Sequence, residues 1–354
     1  MKQEIIDKIN RLASQDEPFL FVINYQGDKA FIRQLSDINP EECLFDFEGR
    51  GNSSDEMKNN SEKIAEISWQ IAPPLYEDYE RSFDIVKNNI MAGNSYLTNL
   101  TCKVPVSCNL SLEDIFNQAK GKYKLLLRRK RNLNPFVCFS PETFIRIKNG
   151  RIYSYPMKGT LDASLPNAEK LLMEDRKEAA EHATIVDLIR NDLSRVAENV
   201  RVDKYRYVDV LHTNKGDILQ TSSEISGRLP EDYPHHLGEI LDAQLPAGSI
   251  TGAPKDKTMQ IIHEAEGYDR GFYTGIMGIY DQGELNSAVM IRFIEEETSP
   301  VDFEADGEKN FKANEGKKPK ESRELYFKAG GGITSKSDCR REYEEVIQKI
   351  YLPI

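Results

Sequence analysis

Tyr155-Pro156-Met157-Lys158-Gly159-Thr160 is the stretch on which the reading of the fold turns. Before it, residues 144–147 and 151–155 are apolar-rich runs of strand length, separated by Asn149-Gly150. An Asn-Gly pair between two such runs predicts a tight hairpin, because both central residues tolerate positive φ. Lys158 is then expected to leave a strand end beside a glycine, where backbone can approach a ligand closely. A lysine so placed is a nucleophile if its surroundings lower its pKa, and otherwise a solvated surface charge. Its company along the chain decides between the two.

Downstream, residues 167–195 carry Leu171, Leu172, Ala179, Ala183, Val186 and Ile189 at helical spacing and predict one long helix. Glu178 and Glu181 lie three apart and share a face of it. A second pair, Glu342 and Glu345, sits on a predicted C-terminal helix over 339–350. Either pair alone reads as a solvated acidic face, whereas the two together can converge on a hard cation such as Mg2+. In Ser140-Pro141-Glu142 the proline imposes a turn that leaves Glu142 beside the hairpin.

Residues 246–255, Pro-Ala-Gly-Ser-Ile-Thr-Gly-Ala-Pro-Lys, predict a loop feeding a helix N-terminus, which suits an anion. Residues 273–280 read as a glycine-bearing strand, hairpinned through Asp281-Gln282-Gly283 to a second strand over 285–294 that carries Arg292. Gly330-Gly331-Gly332 is either a flexible turn or a run that bares N–H groups to a carboxylate. Residues 295–324, rich in Glu, Lys and Asp, predict an exposed loop.

Towards the N-terminus, a helix is expected over 1–14, a hairpin over 19–33, partly loop over 39–60 and a strand over 64–69. Pro73-Pro74 then ends a small N-terminal region, 1–74, ahead of a larger unit, 75–354. That unit opens with a helix over 77–92, a strand over 96–106, a helix over 112–120 and a strand over 124–129. A net charge of −11 over 354 residues argues against a nucleic-acid binder. No apolar run reaches membrane-spanning length. Five scattered cysteines without any CxxC fit reduced thiols in a cytoplasm.

Taken together, these motifs resemble those of the chorismate-utilising enzymes from about residue 79 to 354. The carrying residues are Ser140-Pro141-Glu142, Pro156–Thr160, Asp187-Leu188-Ile189-Arg190-Asn191-Asp192, residues 248–255 and 273–278, Arg292, Gly330–Gly332 and residues 342–349, in the family's order. The resemblance implies an α+β fold of two antiparallel β-sheets packed face to face, with helices outside, completed by residues 1–74. It implies Mg2+ on Glu181 and Glu345, supported through water by Glu178 and Glu342. It puts the ring carboxylate of chorismate near the metal, Gly159, Thr160, Ser249 and Lys349, and the enolpyruvyl carboxylate at Tyr273, Arg292 and the backbone of Gly330 and Gly332. Gln220 stands at the substrate where the family usually has histidine.

Lys158 points to the branch of aminodeoxychorismate synthase component I, since anthranilate-forming members carry alanine there. In that branch the lysine amine attacks C2 of chorismate while Glu142 protonates the departing C4 hydroxyl. Ammonia from a partner glutamine amidotransferase then attacks C4 and expels the lysine. Desolvation and the metal are expected to lower the lysine pKa. Gln220 cannot act as a base, which counts against the alternative, anthranilate synthase component I. Leu97 stands where isochorismate-forming relatives have a lysine, which disfavours that reaction. The short N-terminal region argues against a tryptophan pocket. A non-catalytic chorismate-binding subunit is a third reading, and the presence of Glu142, Lys158, Glu181 and Glu345 argues against it.

Overall fold

Asn149 and Gly150 both take positive φ, 52° and 68°, and close a hairpin between strands Thr143–Lys148 and Arg151–Ser154. The computed structural model describes residues 1–53, 67–128, 133–213, 216–299 and 322–354. Among these, the hairpin lies inside the first of two nine-stranded sheets. Across that sheet run Met157–Asp162, Gly216–Arg228, Arg151–Ser154, Thr143–Lys148, Glu284–Val289, Ile276–Asp281, Phe19–Ile23 and Ala30–Gln34, and Glu198–Thr213 also pairs with Gly216–Arg228. Across the second run Gly252–Ala253, Leu97–Cys108, Ser322–Ile333, Phe293–Ser299, Phe136–Ser140, Tyr123–Leu127, Cys43–Phe47 and Arg50–Gly51, with Trp69–Ile71 beside Leu97–Cys108. Every pairing is antiparallel. Strands from residues 1–74 are woven into both sheets.

Strand Phe19–Ile23 shows how the layers form. It is apolar at every position, so it suits burial on both faces. Phe19, Phe21 and Ile23 pack under helices Gln3–Ser14 and Leu237–Gln244, while Leu20 and Val22 face the second sheet. Between the sheets, Phe136 stacks on Phe293 with ring centroids 4.5 Å apart and on Phe272 at 5.4 Å. The outer face of the second sheet buries Leu100, Val104, Val137 and Phe327 under helices Tyr76–Met91, Leu112–Gln118, Lys255–Glu266 and Cys339–Gln348.

Several expected elements differ. The helix over 167–195 is two, Ala168–Glu174 and Arg176–Leu193. Asp175 between them is extended, and its carboxylate accepts hydrogen bonds from the backbone of Lys177 and Glu178. An aspartate that can cap a new helix interrupts an otherwise continuous period. Lys158 lies within strand Met157–Asp162, with a bulge at Gly159 (φ 77°), rather than past a strand end. Tyr273 and Thr274 form a turn before strand Ile276–Asp281, and Thr274 has φ 62°.

Arg292 is also off-strand. Strand Glu284–Val289 ends before it, Arg292 takes φ 55°, and Phe293–Ser299 continues in the other sheet. Gly330–Gly332 is strand, in register with Thr101, Leu100 and Asn99. The expected acidic loop is narrower at its start, because Phe293–Ser299 pairs with Ser322–Ile333. There the acidic residues find cross-strand cations instead of solvent: Glu297 meets Lys103 at 2.7 Å and Glu295 meets Lys328 at 2.5 Å. Residues 300–321 of that loop lie outside the described residues, as do 54–66, so the strand expected over 64–69 is seen only as Trp69–Ile71.

Candidate active site

Lys158 reaches the site from strand Met157–Asp162, whose partner Gly216–Arg228 also anchors the lysine's own carbonyl through the Thr221 hydroxyl. Its Nζ lies 2.9 Å from Glu181 Oε2. Gly159 next to it takes φ 77°, which a side chain would strain, and a Cβ there would also sit 3.0 Å from Glu178 Oε2. Glu178 and Glu181 project from the first turns of the helix capped by Asp175, so the break in the helical pattern sets where they point. Glu342 and Glu345 come from helix Cys339–Gln348, capped by Asp338. The ammonium of Lys158 interacts electrostatically with all four carboxylates.

That surrounding sets two effects on the lysine against each other. Burial alone pushes the Lys158 pKa down, but the bond to Glu181 and the charges of Glu181, Glu178 and Glu345 outweigh it and hold the amine above its ordinary value. Burial also raises the carboxyl pKa of Glu178 and Glu342, with a carboxylate neighbour adding to it in each case. Glu345 is held low, since Lys349 at 2.8 Å and Lys158 outweigh its burial. Two pairs of hard oxygen donors suit a small divalent cation in charge and chemistry. Among the described residues no three acidic, histidine or cysteine side chains already meet as a cage; the lysine ammonium is the cation they share.

Glu142 follows Pro141 at the end of strand Phe136–Ser140. It accepts a hydrogen bond of 2.6 Å from Ser249 Oγ. Burial pushes its carboxyl pKa up against the opposing pulls of Ser249 and Arg292. A carboxyl raised in this way keeps its proton to higher pH than an exposed one, which suits a general acid. Behind it is a cavity of about 30 Å³, also lined by Ser154, Asp192, Gln244 and Gly248. That is room for about two waters and no substrate. A larger surface hollow lined by Asp16, Glu231 and Asp232 contains none of the expected site residues.

The carboxylate-binding candidates come from other elements. Tyr273 is buried in its turn, 5.9 Å by ring centroid from Phe293. Arg292 lies over the ring of Tyr351 at 5.6 Å, and its Nε is buried without a hydrogen-bond partner. A non-glycine residue held at positive φ with an unpaired guanidinium nitrogen is the kind of strain that sites retain. Lys349 Nζ donates to the Gly330 carbonyl at 3.0 Å, tying the last helix to the glycine strand. Gln220 sits opposite Thr160 in register, and Thr160 is exposed. Leu97 is buried where its strand pairs with Ala253.

Sequence reasoning assigned no role to the ion pair of Asp192 and Lys255, 2.9 Å apart, although both lie in motifs it quoted. Lys255 also donates to the Gln244 carbonyl, so it ties together two residues that line the small cavity. It also passed over Glu266 and Arg270. Their i,i+4 spacing is visible, but their partners are distant in sequence.

Residues 19–308 match the chorismate binding enzyme family. The chain belongs to the chorismate binding enzymes. An uncharacterized PabA-like protein of Haemophilus influenzae is 44% identical over 352 residues, 99% of this chain and 97% of that one. The aminodeoxychorismate synthase component 1 of Salmonella typhimurium is 30% identical over 286 residues, 77% of this chain and 56% of that one. The anthranilate synthase component 1 of Aquifex aeolicus is 34% identical over 218 residues, 59% of this chain and 38% of that one. Among solved structures, a putative isochorismate synthase of Bacillus anthracis matches with a TM-score of 0.69 at 18% identity, covering 98% of this chain and 86% of that one. An anthranilate synthase component I of Streptococcus pneumoniae matches with a TM-score of 0.62 at 24% identity, covering 81% of this chain and 59% of that one. These establish the chorismate-binding fold of two antiparallel sheets with helices. No helix among the described residues is long and apolar enough to cross a membrane.

Proposed function

We propose that this chorismate-binding enzyme acts as the synthase component of an aminodeoxychorismate synthase, converting chorismate and ammonia to 4-amino-4-deoxychorismate. The observation that carries the reading is Lys158, an amine held among four carboxylates within the chorismate-binding fold. Its attack on C2 forms a carbon–nitrogen bond and breaks the C4–oxygen bond. Glu142 supplies the proton that lets hydroxide leave as water. Ammonia then bonds to C4, the lysine leaves C2 as a neutral amine, and the proton lost by the new ammonium returns to Glu142. The positioned acid contributes about 100- to 10,000-fold, and the covalent step divides one hard displacement into two.

As described, Lys158 holds its proton through Glu181, so the nucleophile requires relief of that bond. Glu178, Glu181, Glu342 and Glu345 would hold Mg2+, which would supply positive charge for the ring carboxylate and would compete with the ammonium for these groups. Arg292 and Tyr273 take the second carboxylate, for which a guanidinium with an unpaired nitrogen is suited. We further propose a cytoplasmic setting and a separate glutamine amidotransferase as the ammonia source. The test is a product assay with chorismate, ammonium and Mg2+, coupled to a lyase that releases para-aminobenzoate. Para-aminobenzoate supports the reading. Fluorescent anthranilate would assign the alternative reaction, and unchanged chorismate would reject the catalytic assignment.

A further inference from the structure

The Arg270 guanidinium makes no hydrogen bond to any of the expected substrate-binding side chains, yet it joins the segments that carry them, and the residue's own carbonyl accepts from the Tyr273 backbone at 3.1 Å. Its side chain is 2% exposed. Nε and Nη2 clamp both oxygens of Glu266 at 2.8 and 2.6 Å. Nη1 donates to the Ile250 carbonyl at 2.9 Å, and Nη2 donates to the Asn99 carbonyl at 2.7 Å. Nη1 also reaches Thr274 Oγ1 at 3.4 Å, and the guanidinium lies over the Tyr25 ring at 4.7 Å. Glu266 Oε1 in turn accepts from the Thr101 backbone and hydroxyl, both at 2.8 Å. Asn99 and Thr101 are the register partners of Gly332 and Gly330. Ile250 follows Ser249, and Thr274 follows Tyr273.

We infer that Arg270, braced by Glu266, is a positioning residue that sets the Ser249 hydroxyl on Glu142 by holding the neighbouring Ile250 carbonyl. The inference rests on Glu142 being the proton donor of the proposed reaction. Only an arginine has the planar fork to bind a carboxylate and two carbonyls at once, so lysine retains the charge and loses the geometry. A bare guanidinium or carboxylate here would be destabilising, which is why each has a partner. The groups facing Glu142 are Ser249 and Arg292, with Asp192 and Tyr155 across the small cavity and Lys255 behind Asp192. Of these, the Ser249 contact is the one that Arg270 governs.

The experiment is the pH profile of kcat/KM for Ser249→Ala, Arg270→Lys, Glu266→Gln and the double variant Ser249→Ala/Arg270→Lys. Its shape is read on whatever fraction folds, so reduced yield does not obscure it. Donation from Ser249 favours the Glu142 carboxylate, and the acid must be protonated to work. Losing that donation therefore moves the limb that reports Glu142 upward, by on the order of one pH unit. Arg270→Lys and Glu266→Gln are expected to move the limb in the same direction, with no further movement in the double variant. If Ser249→Ala moves the limb and neither Arg270→Lys nor Glu266→Gln does, the positioning inference is overturned while Glu142 stands. If Ser249→Ala leaves the limb in place, the proton-donor reading of Glu142 fails first.

Discussion

Lys158 Nζ sits 2.9 Å from Glu181 Oε2, so the candidate nucleophile and a candidate metal ligand hold each other. The carboxylates that would bind a divalent cation are the groups that keep the amine protonated. Covalent capture of chorismate should therefore depend on Mg2+ and extend to lower pH as Mg2+ is raised. Mass spectrometry after incubation with chorismate and Mg2+, without ammonia, should find chorismate less one water on the peptide containing Lys158. Lys158→Ala should bind chorismate without forming it. An active Lys158→Arg enzyme with no adduct in the parent chain would defeat the covalent route.

Glu142→Gln keeps the shape and removes the proton. Turnover should fall by about 100- to 10,000-fold, with a much smaller change in chorismate binding because glutamine keeps an acceptor for the Ser249 hydroxyl. Turnover within about tenfold of the parent would show that another group protonates the leaving hydroxyl.

Glu181→Gln and Glu345→Gln should leave the thermal unfolding transition near that of the parent, since both groups reach solvent. Mg2+ affinity by titration calorimetry should drop about 10- to 100-fold, and activity should drop with it. Full activity in excess EDTA would remove the metal from the proposal.

The proposed reaction takes ammonia and leaves glutamine hydrolysis to a partner. The purified chain should give product from ammonium and none from glutamine, and adding a suitable amidotransferase should confer glutamine use. Comparable rates from glutamine with the chain alone would refute the two-component reading.

His182 is fully buried, with Nε2 2.6 Å from Ser223 Oγ and Nδ1 unpartnered. Ser223 Oγ already accepts from the Arg206 backbone, so its hydroxyl proton is free for a neutral ring. Burial, then Arg206, pushes the histidine pKa down to about 4 from an ordinary 6.5. A depressed histidine contributes stability that is present above 6.5 and lost as pH falls through the folded value. Denaturant unfolding should thus show stability declining from pH 6.5 towards 4, less steeply in His182→Gln. An NMR titration placing the His182 pKa at 6 or above would contradict this.

Local signals carried much of the architecture. Asn149-Gly150 specifies a hairpin because few other residue pairs tolerate two positive φ angles, and that constraint acts within four residues. The strand Phe19–Ile23 was also legible, because an apolar run of that length followed by Gln26-Gly27-Asp28 is a local signal. Lys158, Glu142 and the two glutamate pairs could be singled out before the fold was known, because residue type and order along the chain are all that a motif needs. The split at Asp175 was misread because a capping carboxylate competes with helical period, and period alone does not weigh that competition.

What the linear pattern left open depends on atoms that meet only after folding. Whether Lys158 is neutral or charged follows from carboxylates contributed by two helices, one about twenty residues away and the other near the far end of the chain. Burial and charge pull that amine in opposite directions, and only the assembled distances decide which wins. Arg292 left its expected strand because the chain crosses there from one sheet to the other. Arg270 showed no role in sequence because Ile250 and Asn99 offer it backbone carbonyls, which any residue type carries and only the packed sheets bring within reach.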